Sequence, residues 1–138
     1  MSSTDEVDER ATAGLHEMVP FTAELGIELI RNDRDEVRGR VAWTAARCTV
    51  GGALNGGVIM AVADNTGGLC AFHNLPAGAG GTSTIESKTN FLRAVRGGHV
   101  TAISRPLHTG RRVVVVETEL RDDDGRLVAK VTQTQAVL

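Results

Sequence analysis

Residues 51–73 read Gly51-Gly52-Ala53-Leu54-Asn55-Gly56-Gly57-Val58-Ile59-Met60-Ala61-Val62-Ala63-Asp64-Asn65-Thr66-Gly67-Gly68-Leu69-Cys70-Ala71-Phe72-His73. The length and apolarity of the second part predict a buried helix over Gly57–His73, entered through a glycine corner at Asn55-Gly56-Gly57. Glycines let a backbone approach a ligand closely. A helix starting at Gly56 or Gly57 aims unpaired N–H groups, with the positive end of its dipole, at whatever sits there. Such donors suit an oxyanion or a polarised carbonyl. Two turns further in, Asp64 stands among Ala61, Val62 and Ala63, where a partly buried charge is expensive unless it has a task. The two features together point to acyl chemistry. Gly67-Gly68 costs about 1 kcal/mol per glycine against alanine, which predicts another backbone packed tightly against the helix there.

Working outward, the apolar positions Val7, Ala11, Leu15, Met18 and Val19 recur at helical spacing from Glu6 onward, and Pro20 is expected to stop that helix. A short link through Phe21 and Leu25 then reaches Gly26. Ile27–Ile30 and Val37–Trp43 read as strands around the turn Asn32-Asp33-Arg34-Asp35, and Asn74–Gly81 reads as a flexible loop. Four further strands follow: Thr82–Leu92, His99–Leu107, Arg111–Arg121 and Arg126–Leu138. The run Val113–Val116 predicts burial on both faces, and Asp122-Asp123-Asp124-Gly125 is a hairpin signal. Turns this short impose antiparallel pairing. The economical packing is α+β: an antiparallel sheet wrapped around a long central helix, with an extra N-terminal helix. Residues 1–5 are expected to form a disordered tail and residues 6–138 a single domain. One such sheet leaves a bare edge, which two copies would cover by pairing, so a homodimer or dimer of dimers is expected.

Composition excludes several classes. Net charge is −2, and aromatic residues make up 3%, with no tyrosine and only Trp43, so neither a basic footprint nor a base-stacking platform for nucleic acid exists. Cys48 and Cys70 are too few for a disulfide framework and read as buried free thiols. His16, His73, His99 and His108 show no ligand spacing, so no metal is assigned. The acidic start lacks a secretory segment and no apolar run is long enough to span a membrane. A cytoplasmic protein without a membrane partner is therefore expected.

Four pieces of this chain, in order, resemble the hotdog-fold acyl-CoA thioesterases, in particular the phenylacetate-pathway branch. They are Pro20-Phe21 with Leu25-Gly26-Ile27; Leu54-Asn55-Gly56-Gly57 followed by Asp64; Thr84-Ile85-Glu86 with Asn90-Phe91-Leu92-Arg93; and His108-Thr109-Gly110-Arg111-Arg112 before the valine run. The resemblance implies hydrolysis of an acyl-CoA, with coenzyme A as part of the substrate and no separate cofactor. It implies that the Gly56 N–H polarises the carbonyl, and that Asp64, reaching across a dimer, is nucleophile or general base. Thr84 is the match for a residue that orients water. The family motif reads His-Gly-Gly, and Asn55 stands where the histidine would be. An asparagine amide donates a hydrogen bond but carries no proton near neutral pH. Thr49 likewise replaces an Asn that some relatives use.

Glu86 competes with Asp64 for the acid's role, since a residue two positions from Thr84 should share its face of the strand, with Lys88 there to neutralise it. Gly57 belongs to the corner, and Arg93, Arg96, Arg111 and Arg112 are candidates for the coenzyme A phosphates or a solvated rim. The rival reading is a non-catalytic acyl-CoA-binding protein that kept the pocket after losing the histidine.

Overall fold

The computed structural model describes residues 6–138, so the expected tail 1–5 lies outside the described residues. The elements are α1 (Glu9–Met18), α2 (Pro20–Leu25), β1 (Glu28–Asn32), β2 (Val37–Ala42), α3 (Gly56–His73), β3 (Thr82–Phe91), β4 (His99–Thr109), β5 (Val113–Arg121) and β6 (Leu127–Val137). Two 3-10 turns, Ala45–Arg47 and Val50–Gly52, lead into α3. All six strands form one antiparallel sheet in the order β1-β2-β4-β5-β6-β3, wrapped around α3. The expected α+β arrangement, the hotdog, is the one found. Among the described residues no helix is long and apolar enough to cross a membrane.

Helix α3 begins where Asn55, in extended conformation, caps it by accepting from the Gly57 N–H at 2.7 Å. Its stripe of Ile59, Val62, Ala63, Thr66, Gly67, Cys70 and Ala71 is buried against the sheet. The strands supply the other half of the core through alternation, interrupted where β6 buries the consecutive Val128 and Ala129, and including Val37, Val41, Val100, Ala102, Val114, Val116, Leu120 and Val131. One polar seam crosses this core. Ser104 Oγ donates to Thr66 Oγ1 (2.9 Å) and pairs with Thr118 Oγ1 (2.7 Å), while Thr66 Oγ1 donates to the Val62 carbonyl (3.1 Å). Each hydroxyl of this seam therefore has a partner, as burial demands. Of the two thiols, Cys70 is buried, which pushes it up to about 11, and Cys48 is only half-buried.

Three sequence expectations change. Pro20 does not end helical structure; it opens α2 from the first helical position, where its missing N–H costs nothing. Gly26, at φ +65°, closes α2 in the left-handed conformation. The valine run is fully buried on one face only: Val114 and Val116 are inaccessible, whereas Val113 and Val115 lie half-buried on the outer face. That outer face carries charged pairs elsewhere, such as Glu119 with Arg121 (2.9 Å), whose guanidinium holds the Glu119 carboxyl below the usual range.

The third change concerns the glycine pair. A Cβ on Gly67 would overlap the side-chain oxygen of Gln133 on β6, so a glutamine side chain, not another backbone, occupies the space. A Cβ on Gly68 would meet nothing within 4 Å. The two glycines should therefore respond in opposite ways to alanine. Gly67→Ala is expected to lower unfolding free energy by about 1–3 kcal/mol in urea titration, and Gly68→Ala to leave it unchanged or raise it by up to ~1 kcal/mol.

Candidate active site

Asp64 sits on the exposed side of α3, contrary to the partial burial its apolar sequence neighbours suggest, because those neighbours turn to the sheet and the acid does not. Its Oδ1 is held twice. Thr84 Oγ1 donates to it at 3.1 Å and Gln133 Nε2 approaches at 3.4 Å. Thr84 is itself held by Gln135 Nε2, which donates to its hydroxyl at 2.6 Å, while Thr82 Oγ1 donates to Gln135 Oε1 at 3.1 Å. Both glutamines are buried. The result is a relay from inside the sheet that fixes one carboxylate oxygen. Among the described residues no donor reaches Oδ2.

The strand register separates the two acids. Thr84 pairs with Gln135 and Glu86 with Thr134, so Ile85 is the extra residue of a bulge. The bulge undoes the two-residue alternation. Thr84 faces α3 together with Gln135, while Glu86 faces the outer side with Thr134. Glu86 therefore does not share a face with Thr84, and Asp64 is the carboxylate at this site.

The glycine corner lies at the other end of β3. Gly51 and Gly52 adopt positive φ (84° and 76°), and their carbonyls accept from Arg96 Nη1 (2.6 Å) and Trp43 Nε1 (3.0 Å). Gly57 N–H is taken by Asn55 Oδ1, whereas Gly56 N–H has no acceptor among the described residues. The Phe91 ring packs over Gly56, with its Cζ 3.1 Å from where a Cβ would stand. A ligand can thus meet a bare amide at a helix N-terminus, with the Asn55 amide group beside it.

Within one chain the two halves do not meet. Gly56 and Asp64 are eight residues apart on one helix, which separates them by about 12 Å along its axis. The arginines are split as well. Arg93 and Arg96 are exposed beside the glycine corner, while Arg111 and Arg112 are exposed in the β4–β5 turn at the opposite end of the sheet. Gln133 and Gln135 were not singled out from sequence. Their signal was a pair of amides two residues apart on a strand, both facing inward.

The fold is that of the hotdog thioesterases. Residues 51–129 match the model of the thioesterase superfamily, and the chain belongs to that family. The chain is 31% identical over 87 residues to the 1,4-dihydroxy-2-naphthoyl-CoA hydrolase of Escherichia coli, covering 63% of each. It superposes on a thioesterase of Haemophilus influenzae with a TM-score of 0.84 at 26% identity, covering 92% of this chain and 90% of that one. The E. coli PaaI protein from the phenylacetic acid degradation operon shares the fold, with a TM-score of 0.82 at 19% identity over 94% and 92% of the two chains.

The relay onto Oδ1 predicts an ordered effect on thioester hydrolysis. Thr84→Val should lower kcat about tenfold with little change in KM, and Thr84→Ser should retain most of it, since only the hydroxyl is needed. Equal rates for wild type and Thr84→Val would remove this contact from the mechanism.

Proposed function

We propose that the protein hydrolyses acyl-CoA thioesters to a free acid and coenzyme A, in a site completed by a second copy of the chain. One observation carries this reading: the bare amide and the free carboxylate oxygen lie against opposite ends of the same unpaired edge strand. The sheet has two edges. On β1, helix α1 covers the edge, with Asp8 N–H donating to the Leu29 carbonyl (2.8 Å) and Leu29 N–H to Thr12 Oγ1 (2.9 Å). On β3 the outer edge has no strand beside it among the described residues, most of its own residues are exposed, and Ile85 is 64% accessible. Such an edge invites pairing.

Antiparallel self-pairing of β3 about a two-fold axis reverses the strand, so the Thr84 end of one copy meets the Phe91 end of the other. Gly56 then faces the partner's Asp64. The same operation brings Arg93 and Arg96 to the end of the joint sheet that holds the partner's Arg111 and the partner's Arg112. Four guanidinium groups on one rim suit the phosphates of coenzyme A.

In this assembly the thioester carbonyl accepts from Gly56 N–H. The partner's Asp64 takes a proton through Oδ2 from a water molecule whose oxygen adds to the carbonyl carbon. The negative charge that forms on the carbonyl oxygen rests on the Gly56 amide, with the helix N-terminus and the Asn55 amide group in support. Collapse re-forms the carbonyl and breaks the carbon–sulfur bond. The thiolate leaves and takes up the proton, as a thiol of ordinary acidity does readily. Asn55 need not titrate for these steps, which fits its standing where the family has a histidine. Thr84 and Gln133 act by holding Oδ1 rather than by touching water.

The direct test is thiol release from a panel of acyl-CoAs by wild type and Asp64→Asn. Loss of about two to four decades of kcat is expected for the variant. Undiminished turnover by Asp64→Asn would overturn the mechanism. Calorimetric binding of acyl-CoA by the wild type without turnover would instead mark a non-catalytic binder.

A further inference from the structure

Beside Asp64 a cleft of about 400 Å³ opens between α1, α3 and the start of β3. Its floor is one face of α3, running from Asp64 past Gly68 to Phe72. These positions are four residues apart, so they stack along the axis. One wall is Leu15, Met18 and Val19 from α1 and the α1–α2 junction. The other wall includes Gly81, Thr82, Ser83 and Thr84. The lining is mainly apolar, and its one charge is the carboxylate at the near end.

Two details define the shape. Gly68, in mid-groove, has open space where a Cβ would be, so the floor is bare backbone there. At the far end Met18 and Phe72 are 69% and 57% accessible, so the groove is not closed. Exposed apolar side chains at the mouth of a channel that starts at a reactive acid call for an apolar occupant tethered to the reacting group.

We propose that this groove holds the acyl chain of the substrate, and that the enzyme's substrate class is straight-chain, medium-length acyl thioesters. The inference rests on the thioesterase reading above. From Asp64 to Phe72 the helix rises about 12 Å, a length that about eight to ten carbons of an extended chain span. Every methylene in that stretch leaves water for Leu15, Met18, Val19, Leu69 and Phe72. Each should raise kcat/KM by about threefold. Beyond the far end further carbons return to solvent and add nothing. A compact aromatic acyl group would fill only the section between Asp64 and Gly68 and leave the rest of the groove wet.

The experiment is a chain-length series from acetyl- to palmitoyl-CoA, with benzoyl- and phenylacetyl-CoA as aromatic arms, for wild type, Gly68→Leu and Phe72→Ser. Wild-type kcat/KM should climb to about eight to ten carbons, level off beyond, and exceed both aromatic substrates at the plateau. Gly68→Leu starts from a Cβ in open space and sends its side chain into mid-groove. It should cut the octanoyl-to-acetyl ratio of kcat/KM at least about tenfold with no fall in thermal midpoint. Phe72→Ser should lower decanoyl relative to hexanoyl and spare the hexanoyl-to-acetyl ratio.

A length profile that is flat, an aromatic preference, or a Gly68→Leu profile matching wild type overturns the groove while leaving thioester hydrolysis intact. If no acyl-CoA turns over, the hydrolytic reading fails on its own. The groove is then judged by calorimetry: octanoyl-CoA must bind the wild type more tightly than acetyl-CoA, and Gly68→Leu must lose that difference.

Discussion

Helix α3 lies so close to β6 that Gly67 has no room for a β-carbon, and most of the site follows from that approach. The side chain of Gln133 occupies the space, buried, with its amide nitrogen turned toward Asp64. Gln135, two residues on and facing the same way, holds Thr84, which holds the same carboxylate oxygen. A larger residue at position 67 would lift the helix and slacken both contacts. The buried Gln133 carbonyl oxygen has no partner among the described residues, and the amide nitrogen makes its bond to the Asp64 carboxylate. One oxygen is fixed from within the sheet and the other is left for chemistry.

The same helix carries the amide proposed to bind the carbonyl at its first turn, too far along to meet Asp64 within one chain. Asn55 spends its side-chain oxygen on Gly57 and so leaves the Gly56 amide bare. Because α3 runs opposite to β3, the amide and the acid abut opposite ends of that strand, with Phe91 over Gly56 and Thr84 against Asp64. A two-fold axis through the strand would convert two incomplete half-sites into two complete ones. The covered β1 edge and the bare β3 edge make this pairing the natural one. Helix α1 has a double part, since the element that covers β1 also walls the groove beside Asp64.

Much of this was legible in the sequence, for identifiable reasons. Alternation and turn chemistry point to six antiparallel strands, and an apolar run behind a glycine corner points to α3, because those signals are local. The resemblance marks Thr84 as a residue that orients water, and the structure shows its hydroxyl bonded to Asp64 Oδ1. What failed was non-local. The bulge at Ile85 reverses the facing of Glu86, and nothing in the strand's own residues marks it. The inward amides of Gln133 and Gln135 resemble ordinary strand polars until the helix is placed over them. Pro20 was misread because proline both ends one helix and begins another, and only the path to Gly26 decides which. The role of α1 in the cleft was likewise invisible, since its one fully buried residue is Leu15 and its other wall residues remain open.

The central claim is that amide and acid come from different copies, and mixed dimers test it most directly. Gly56→Pro removes the N–H at the first helical position, where proline suits the backbone, where the preceding Asn55 is already extended (φ −60°, ψ 134°), and where the Phe91 ring must yield by a few tenths of an ångström to admit its Cβ. Asp64→Asn removes the base. Each variant alone should be inactive or nearly so. When the two chains are co-expressed in equal amounts, half the dimers are mixed, and each mixed dimer has one intact site. Recovery of about a quarter of wild-type activity is the expected result. Activity of the mixture no higher than the average of the two single variants would contradict the account.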